Sequence, residues 1–446
     1  MPLFSKKFYN RESSKASHLW LLLAAFLSAF SIAASAHAAT YYVSASGGSD
    51  SNPGTEAAPF KTILRGSKSL NSGDTLYIKA GTYDERMVNG INDFRFVNGT
   101  ASAYTRYAAA PGDEGKVIIS PGPEGYNNFT VFFGNNSYIE MSGLVLDNSR
   151  MDDADRYLVK FGDYNSHQMA TNIRFKGNEL RNARIGIGNG GGNEIIGNYF
   201  HDLRGYGIYT MFDNGLLEGN TFQNIGGYAI HHFQQDGAKA PDNWVIRNNV
   251  ITNSGKTYIS PHGDKPHRPL PAAVIARGTG TQFYNNIIYD SYAGLQVGLG
   301  AKNTLIANNT IYGNGLFGID IQGRSDNAHA VNNIVYGNRD VNLRDQGTNT
   351  TLEGNLTTDP KFVNAAAGDF GVLDGSPAID KGITVAQVPN DFTGKARPEA
   401  AAYDIGAFEG AGSKADAMPD MSGGLPGGGL PGGGGRPVLL GPNGEV

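Results

Sequence analysis

The chain has 446 residues, of which 62 are glycine and none is cysteine, and its formal net charge is −5. The lack of cysteine excludes thiol catalysis, disulfides and cysteine-ligated metals, and the acidic balance argues against a nucleic-acid partner. Abundant glycine with a charged fraction of only 17% favours turn-rich β-structure over helical bundles.

The N-terminus has the organisation of a signal peptide. Lys6, Lys7 and Arg11 precede an apolar run over residues 19–34, and a small-x-small site follows at residues 36–38. We therefore predict a signal peptide over residues 1–38 and a secreted protein, extracellular or periplasmic. The alternative, a membrane anchor, is disfavoured because the run is short and no second span follows it. We expect no membrane span after signal removal.

Residues 39–135 are predicted to form an N-terminal cap and the first coils. Residues 40–44 and 75–79 have the composition of strands, whereas Phe60, Ile63, Leu64 and Leu70 have helical spacing. A short helix with a strand would cover the apolar end of the first coil.

Residues 136–356 carry a repeat of about 22 residues that tolerates insertions, which is typical of a solenoid. Each repeat contains an asparagine preceded by Gly or Asn, residue types that accept left-handed corners. The second asparagines are expected to stack in an internal ladder. The pairs are Gly177-Asn178, Gly197-Asn198, Gly219-Asn220, Asn248-Asn249, Asn285-Asn286, Asn308-Asn309, Asn332-Asn333 and Gly354-Asn355.

Residues 357–410 break the period and are predicted to be a C-terminal cap segment. Residues 411–446 are rich in Gly and Pro, a composition that predicts disorder.

Segments at both ends carry a family resemblance. Residues 41–44, 52–55, 59–63 and 73–83, with residues 375–380 and 404–409, resemble secreted right-handed parallel β-helix proteins of the pectate-lyase-like superfamily, including alginate-lyase and chondroitinase-B relatives. The resemblance implies an all-β, right-handed parallel β-helix with an N-terminal helix/strand cap. It implies less about activity, because the fold hosts lyases, hydrolases, epimerases and non-catalytic proteins.

The strand after each corner predicts an outer column of polar side chains. Side chains alternate across a strand, so if Ile187, Ile208, Ile230, Val274, Leu295, Ile319 and Val341 point inward, their successors point outward. The predicted outer column is Lys160, Gly188, Tyr209, His231, Ile275, Gln296, Asp320 and Asn342. A second outer column contains Met211, Phe233, Arg277, Gly298, Gln322 and Arg344.

Tyr, His and Arg on one face suit β-elimination from a uronic acid. This chemistry needs a cation for the carboxylate, a base for the C5 proton and an acid for the departing oxygen. We predict His231 as the base, Tyr209 as the acid, and Arg277 as the cation or, as the resemblance implies, the base. The predicted substrate-binding residues are Lys160, Gln296, Asp320, Gln322 and Arg344. The alternative is an ordinary polar face.

Two loops add candidates. The insertion at residues 254–271 is basic, and its Lys265, His267 and Arg268 are expected to bind an anionic polysaccharide. An acidic stretch with Asp152, Asp153 and Asp155 could hold Ca²⁺, which the resemblance makes a possible cofactor, or could be a solvated turn.

A polysaccharide lyase acting on a uronic-acid-containing glycan is the leading hypothesis, and a monomer is expected. A glycoside hydrolase needs two carboxylates roughly 5–9.5 Å apart, whereas the outer columns offer only Asp320. An epimerase shares the lyase chemistry. A non-catalytic carbohydrate-binding or surface protein would have the same fold. In a third position, Tyr289, Tyr312 and Tyr336 could stack as a sugar platform or, as we favour, as packing.

Overall fold

The computed structural model describes residues 38–90, 92–122, 129–150, 157–163, 168–188, 191–232, 240–257, 272–298 and 300–418. These residues form β-strands, one short α-helix (Ile63–Ser67) and two 3-10 turns (Ala365–Ala367 and Ala415–Ala417). Within this part of the chain no helix is long and apolar enough to cross a membrane. The predicted signal peptide and most of the predicted disordered tail lie outside the described residues.

Three long parallel sheets build the fold, and each coil visits them in the order A, B, C. Sheet A has twelve strands: Thr40–Val43, Thr75–Ile78, Thr105–Ala109, Ser137–Ser142, Thr171–Lys176, Glu194–Ile196, Leu216–Glu218, Val245–Arg247, Gln282–Tyr284, Leu305–Ala307, His329–Val331 and Thr351–Glu353. Sheet B has ten: Gly81–Tyr83, Val117–Ile119, Leu144–Asp147, Glu179–Arg181, Tyr199–Leu203, Thr221–Ile225, Val250–Thr252, Ile287–Tyr289, Thr310–Tyr312 and Ile334–Tyr336.

Sheet C also has ten strands: Met87–Val88, Phe129–Phe132, Tyr157–Lys160, Ile185–Gly188, Tyr206–Thr210, Ile230–His232, Val274–Ala276, Leu295–Val297, Phe317–Ile321 and Val341–Asp345. Every strand of the three sheets pairs in parallel with its equivalent in the next coil, which is the arrangement of a right-handed parallel β-helix. The predicted fold class is confirmed. Two small antiparallel pairs lie outside the coils: Gly162–Asp163 with Gln168–Met169, and Phe362–Asn364 with Asp369–Val372.

The interior is filled by equivalent apolar residues of successive coils. Ile187, Ile208 and Ile230 are fully buried neighbours on sheet C, and Phe200 stacks on Phe222 with ring centroids 4.6 Å apart. Stacking like on like lets each coil bury its apolar side against the coils on either side of it, which is how a solenoid gains stability.

The predicted asparagine ladder runs through the A-to-B corners. Asn309 is typical: its Nδ2 donates to the Phe283 carbonyl at 3.0 Å and to Asn333 Oδ1 at 2.9 Å. Its own Oδ1 accepts from the backbone N and the Nδ2 of Asn286. The ladder therefore satisfies buried corner peptides, and the repeating asparagines are scaffold.

The N-terminal helix packs on the first strands of sheet A. Thr62 caps it by accepting a hydrogen bond from the Arg65 backbone N–H, and Ile63 is fully buried. Gly66 lies so close to Leu76 that a Cβ there would be 2.6 Å from a leucine methyl carbon. The close packing lets this helix cover the apolar edge of the first coil.

Residues 357–418, which we call the strap, pack along the side of the solenoid. The strap includes the predicted cap segment and lies over the A-to-B corners of four coils. Side-chain amides of the corners donate to its carbonyls: Asn248 to Phe392, Asn285 to Asn390, Asn308 to Asp404 and Asn332 to Ile383. Within the strap, Arg397 and Glu409 form an ion pair that is almost completely buried.

Candidate functional site

The outer face of sheet C forms a column of aligned side chains, which we call the wall. Its members, in register from coil to coil, are Lys160, Gly188, Tyr209, His231, Ile275, Gln296, Asp320 and Arg344. The first seven positions are the predicted ones.

The last position of the predicted column was wrong. Ile319 pairs with Leu343, and Val341 pairs with Phe317, so Arg344 rather than Asn342 lies beside Asp320. The alignment of Val341 with Ile319 was two residues out of register. A two-residue slip keeps every side chain on its own face, so the hydrophobic pattern could not reveal the error.

His231 is enclosed by aromatic rings. Its ring centroid lies 4.5 Å from that of Tyr228, 5.0 Å from Tyr206 and 5.2 Å from Tyr209, with Tyr209 meeting it edge to face. Only 8% of the residue is exposed. Burial, together with the charge of Arg277 and the neighbouring His232, lowers the pKa of His231 to about 3. The imidazole is therefore neutral at physiological pH, and in the free protein it is only a weak base.

Arg277 follows the strand Val274–Ala276 and is half-buried. Its side chain lies against Gly298 of the next coil, where an added Cβ would be 3.1 Å from Arg277 Cγ. Among the described residues no carboxylate lies within ion-pair distance of Arg277. The other cations of the wall are paired, because Lys160 contacts Asp163 and Arg344 Nε lies 2.7 Å from Asp320 Oδ1.

Asp320 is held firmly in the wall. Its side chain is 1% exposed, one oxygen accepts from Arg344, and the other accepts from Gln296 Nε2 at 3.2 Å. Gln322, the remaining predicted wall residue, is half-buried and donates its backbone N–H to the Val297 carbonyl. The structure thus brings Tyr209, His231 and Arg277 into three consecutive coils, with Gln296 and Asp320 in the next two.

Several predicted site residues lie outside the described residues. They are Lys265, His267 and Arg268 of the insertion and the candidate calcium ligands Asp152, Asp153 and Asp155. Asp147, close to these aspartates in sequence, is engaged by Arg181 and Asn182. Within the described ranges no group of three acidic or histidine side chains is placed to hold a metal. Calcium binding stays a prediction.

The sequence argument missed an aromatic and apolar stripe beside the wall. Tyr157, Ile185, Tyr206 and Phe317 lie on the outer side, three residues before the wall residue of the same strand. The cause is a break in strand alternation, since two successive residues of each strand face inward. The signal is a small residue directly before the inward aliphatic one, found at Gly186-Ile187, Gly207-Ile208, Ala229-Ile230, Ala273-Val274, Gly294-Leu295 and Gly318-Ile319.

Three stacked sheets, an internal asparagine ladder and one polar outer wall define the class of protein as a parallel β-helix. The sequence profile of the right-handed beta helix region matches residues 126–267 and 246–373, more than half of the chain. The chain belongs to the right-handed beta-helix family. No curated protein sequence matches it.

The solved structures that resemble the fold include two enzymes. The pectate lyase Pel9A has a TM-score of 0.57 at 15% identity, covering 83% of this chain and 96% of that one. The GH136 lacto-N-biosidase from Eubacterium ramulus has a TM-score of 0.51 at 13% identity, covering 72% of this chain and 68% of that one. The first is named as a lyase and the second as a glycosidase. At these identities the likeness concerns the fold alone.

Proposed function

We propose that the chain cleaves an anionic, uronic-acid-containing polysaccharide by β-elimination at the wall, outside the cytoplasm. The observation that carries the proposal is Arg277: among the described residues it has no carboxylate partner, and it lies beside a neutral histidine and a half-exposed tyrosine. A half-buried guanidinium that no described carboxylate neutralises attracts a substrate carboxylate, for which its planar donors are well suited.

The proposed reaction assigns one role to each of the three residues. Arg277 neutralises the uronate carboxylate, which makes the C5 proton more acidic. His231 takes that proton, the C4–O bond breaks as a C4=C5 double bond forms, and the Tyr209 hydroxyl gives its proton to the departing oxygen. Burial and the charge of Arg277 lower the pKa of free His231. A bound carboxylate would offset the charge of Arg277 and make the imidazole a stronger base.

The alternatives differ from this proposal at identifiable points. A hydrolase needs a second carboxylate, whereas the described wall has only Asp320, already engaged by Arg344 and Gln296. An epimerase would use the same proton abstraction but would leave the glycosidic bond intact. A non-catalytic binding protein would not depend on His231.

The test is an absorbance assay for unsaturated uronate. The purified protein is incubated with pectate, alginate, chondroitin or heparin-type chains, with and without a calcium chelator. We expect absorbance to rise on one of them, and Arg277→Ala to slow the reaction by about 100-fold or more. Arg174→Ala, which removes a half-exposed arginine from sheet A, is the matched control and should keep the wild-type rate.

Two results would contradict the proposal. No absorbance on any of these glycans would remove the lyase assignment for them. Activity that survives both His231→Ala and Arg277→Ala would show that the site lies elsewhere.

A further inference from the structure

A pocket of about 330 Å³ opens next to the wall, where the chain leaves sheet C for sheet A. This volume is at the lower end of the range for ligand pockets, roughly 300–1,000 Å³. The lining includes Met169, Thr171, Gly191, Met211, Phe212 and Asp213. The mechanism proposed above uses none of these residues.

The pocket lies close to the proposed reacting groups. Met211 directly follows the strand Tyr206–Thr210 and stands two residues after Tyr209, so their Cα atoms are roughly 7 Å apart. A polysaccharide that runs along this strand and is cleaved beside Tyr209 would place a neighbouring unit at the pocket.

The pocket is preformed by contacts with the next coil. The Phe212 carbonyl accepts from Trp244 Nε1 at 2.8 Å, and Asp213 Oδ1 accepts from the Asp242 backbone N–H at 2.8 Å. Phe212 also packs directly on the backbone of Gly191, where an added Cβ would lie 2.1 Å from Phe212 Cβ. Pre-organised walls lower the cost of binding.

The chemistry of the pocket differs from that of the wall. Met169, Met211 and Phe212 present two thioethers and a phenyl ring, and the described lining contains no lysine or arginine. Asp213 adds negative charge, so a second uronate carboxylate would meet repulsion there. A methyl group would instead pack favourably against the methionines and the aromatic ring.

We propose that this pocket is a subsite for a neutral sugar unit that carries an acetyl group. The inference rests on the proposed function for its place beside the cleaved bond. It implies that the substrate is a mixed polymer, in which the uronate bound by Arg277 is followed by a neutral, acetylated unit, rather than a chain of uronates alone.

Methionine methyl groups test the pocket without any catalytic readout. The full chain is labelled with ¹³C-methyl methionine, and the Met169 and Met211 signals are assigned with Met→Leu variants. N-Acetylglucosamine, glucose and glucuronic acid are then titrated separately. We expect N-acetylglucosamine to shift both signals most, glucose less and glucuronic acid not at all. Met87 and Met141, which are fully buried in the core, are internal controls that should not move.

A second variant links the response to the pocket. Met211→Glu should abolish the shift of Met169 while leaving the core methyl signals in place. The inference is overturned if glucuronic acid shifts the two methyls as strongly as N-acetylglucosamine, or if N-acetylglucosamine shifts neither.

The two proposals fail separately. If the methyls respond and no glycan is cleaved, the pocket assignment stands and the lyase proposal falls. If a chain of uronates is cleaved in an Arg277-dependent reaction while the methyls stay unmoved, the lyase proposal stands and the pocket assignment falls.

Discussion

The two halves of the solenoid differ at the same corner position. In every coil from Gly177 to Gly354 the residue before the ladder asparagine is left-handed, with φ between 52° and 64°. In the coils before the strap this residue is glycine, whereas in four coils under the strap it is asparagine, and in the last coil it is glycine again. The glycines are Gly177, Gly197, Gly219 and Gly354, and the asparagines are Asn248, Asn285, Asn308 and Asn332. The asparagines accept the same backbone angle and add an amide that binds the strap. The four asparagines therefore mark the coils whose corner amides bind the strap.

The outer face of sheet B shows the same division. Its aligned column begins with Asp147, Arg181 and His201, which belong to a network of ion pairs. It ends with Tyr289, Tyr312 and Tyr336, and under the strap Phe370 lies 4.9 Å from the Tyr289 ring and 5.8 Å from the Tyr312 ring. The tyrosines are thus covered packing residues, and the regular repeat carries a solvent-facing half and an enclosed half.

The largest effect should come from breaking the buried ion pair of the strap. Arg397→Ala leaves the Glu409 carboxylate buried and uncompensated, so we expect the free energy of unfolding to fall by about 3–5 kcal/mol in urea denaturation. Lys395→Ala removes a cation from the exposed pair with Glu399 and should change the free energy of unfolding by less than about 1 kcal/mol. Equal effects of the two changes would mean that the strap does not hold the enclosed half together.

A smaller effect should follow from exchanging the corner residues. Asn308→Gly keeps the left-handed angle but removes the hydrogen bond to the Asp404 carbonyl, and we expect a loss of about 1 kcal/mol. The reciprocal change, Gly197→Asn, places the new side chain in open space. The free energy of unfolding of this variant should stay within about 0.5 kcal/mol of the wild-type value. Urea midpoints of both variants measure the difference. A penalty for Gly197→Asn as large as that for Asn308→Gly would refute the assignment.

The smallest effect should depend on pH and occur in the open half. Burial alone would lower the pKa of His201, but hydrogen bonds and charges of Glu179 and Asp202 outweigh it and hold the pKa above 6.5. A raised pKa stabilises the fold below the unfolded value and loses that contribution as pH rises through the folded value. His201→Gln should therefore cost up to about 1 kcal/mol near pH 5 and progressively less towards pH 9.

Thermal melts across that range would measure the effect. The penalty for Asn308→Gly involves no titrating group, so it should stay constant and is the control. A pH-independent penalty for His201→Gln would show that its ring stacking on Tyr199, rather than its charge, matters.

The repeat made most of the fold predictable, because each corner asparagine bonds to its equivalent in the next coil. The register also placed Tyr209, His231 and Asp320 on one face correctly. The strap was not predictable in this way, since Asn308 meets Asp404 across 96 residues with no periodic signal. Strict alternation of side chains could not predict that three tyrosines enclose His231. Gly207 and Ile208 both face inward, so Tyr206 lies on the same outer face as Tyr209.

The strap also imposes an order on biogenesis. Asn248 reaches a partner 144 residues later in the chain, so its coil is complete only after almost the whole protein has been made. Coils with polar outer residues can complete their folding as they are synthesised. The coils that carry Tyr289 and Tyr312 expose an apolar surface until Phe362 and Phe370 have been synthesised and can cover it. We therefore expect a chain truncated before the strap to expose Tyr289 and Tyr312 and to be prone to aggregation.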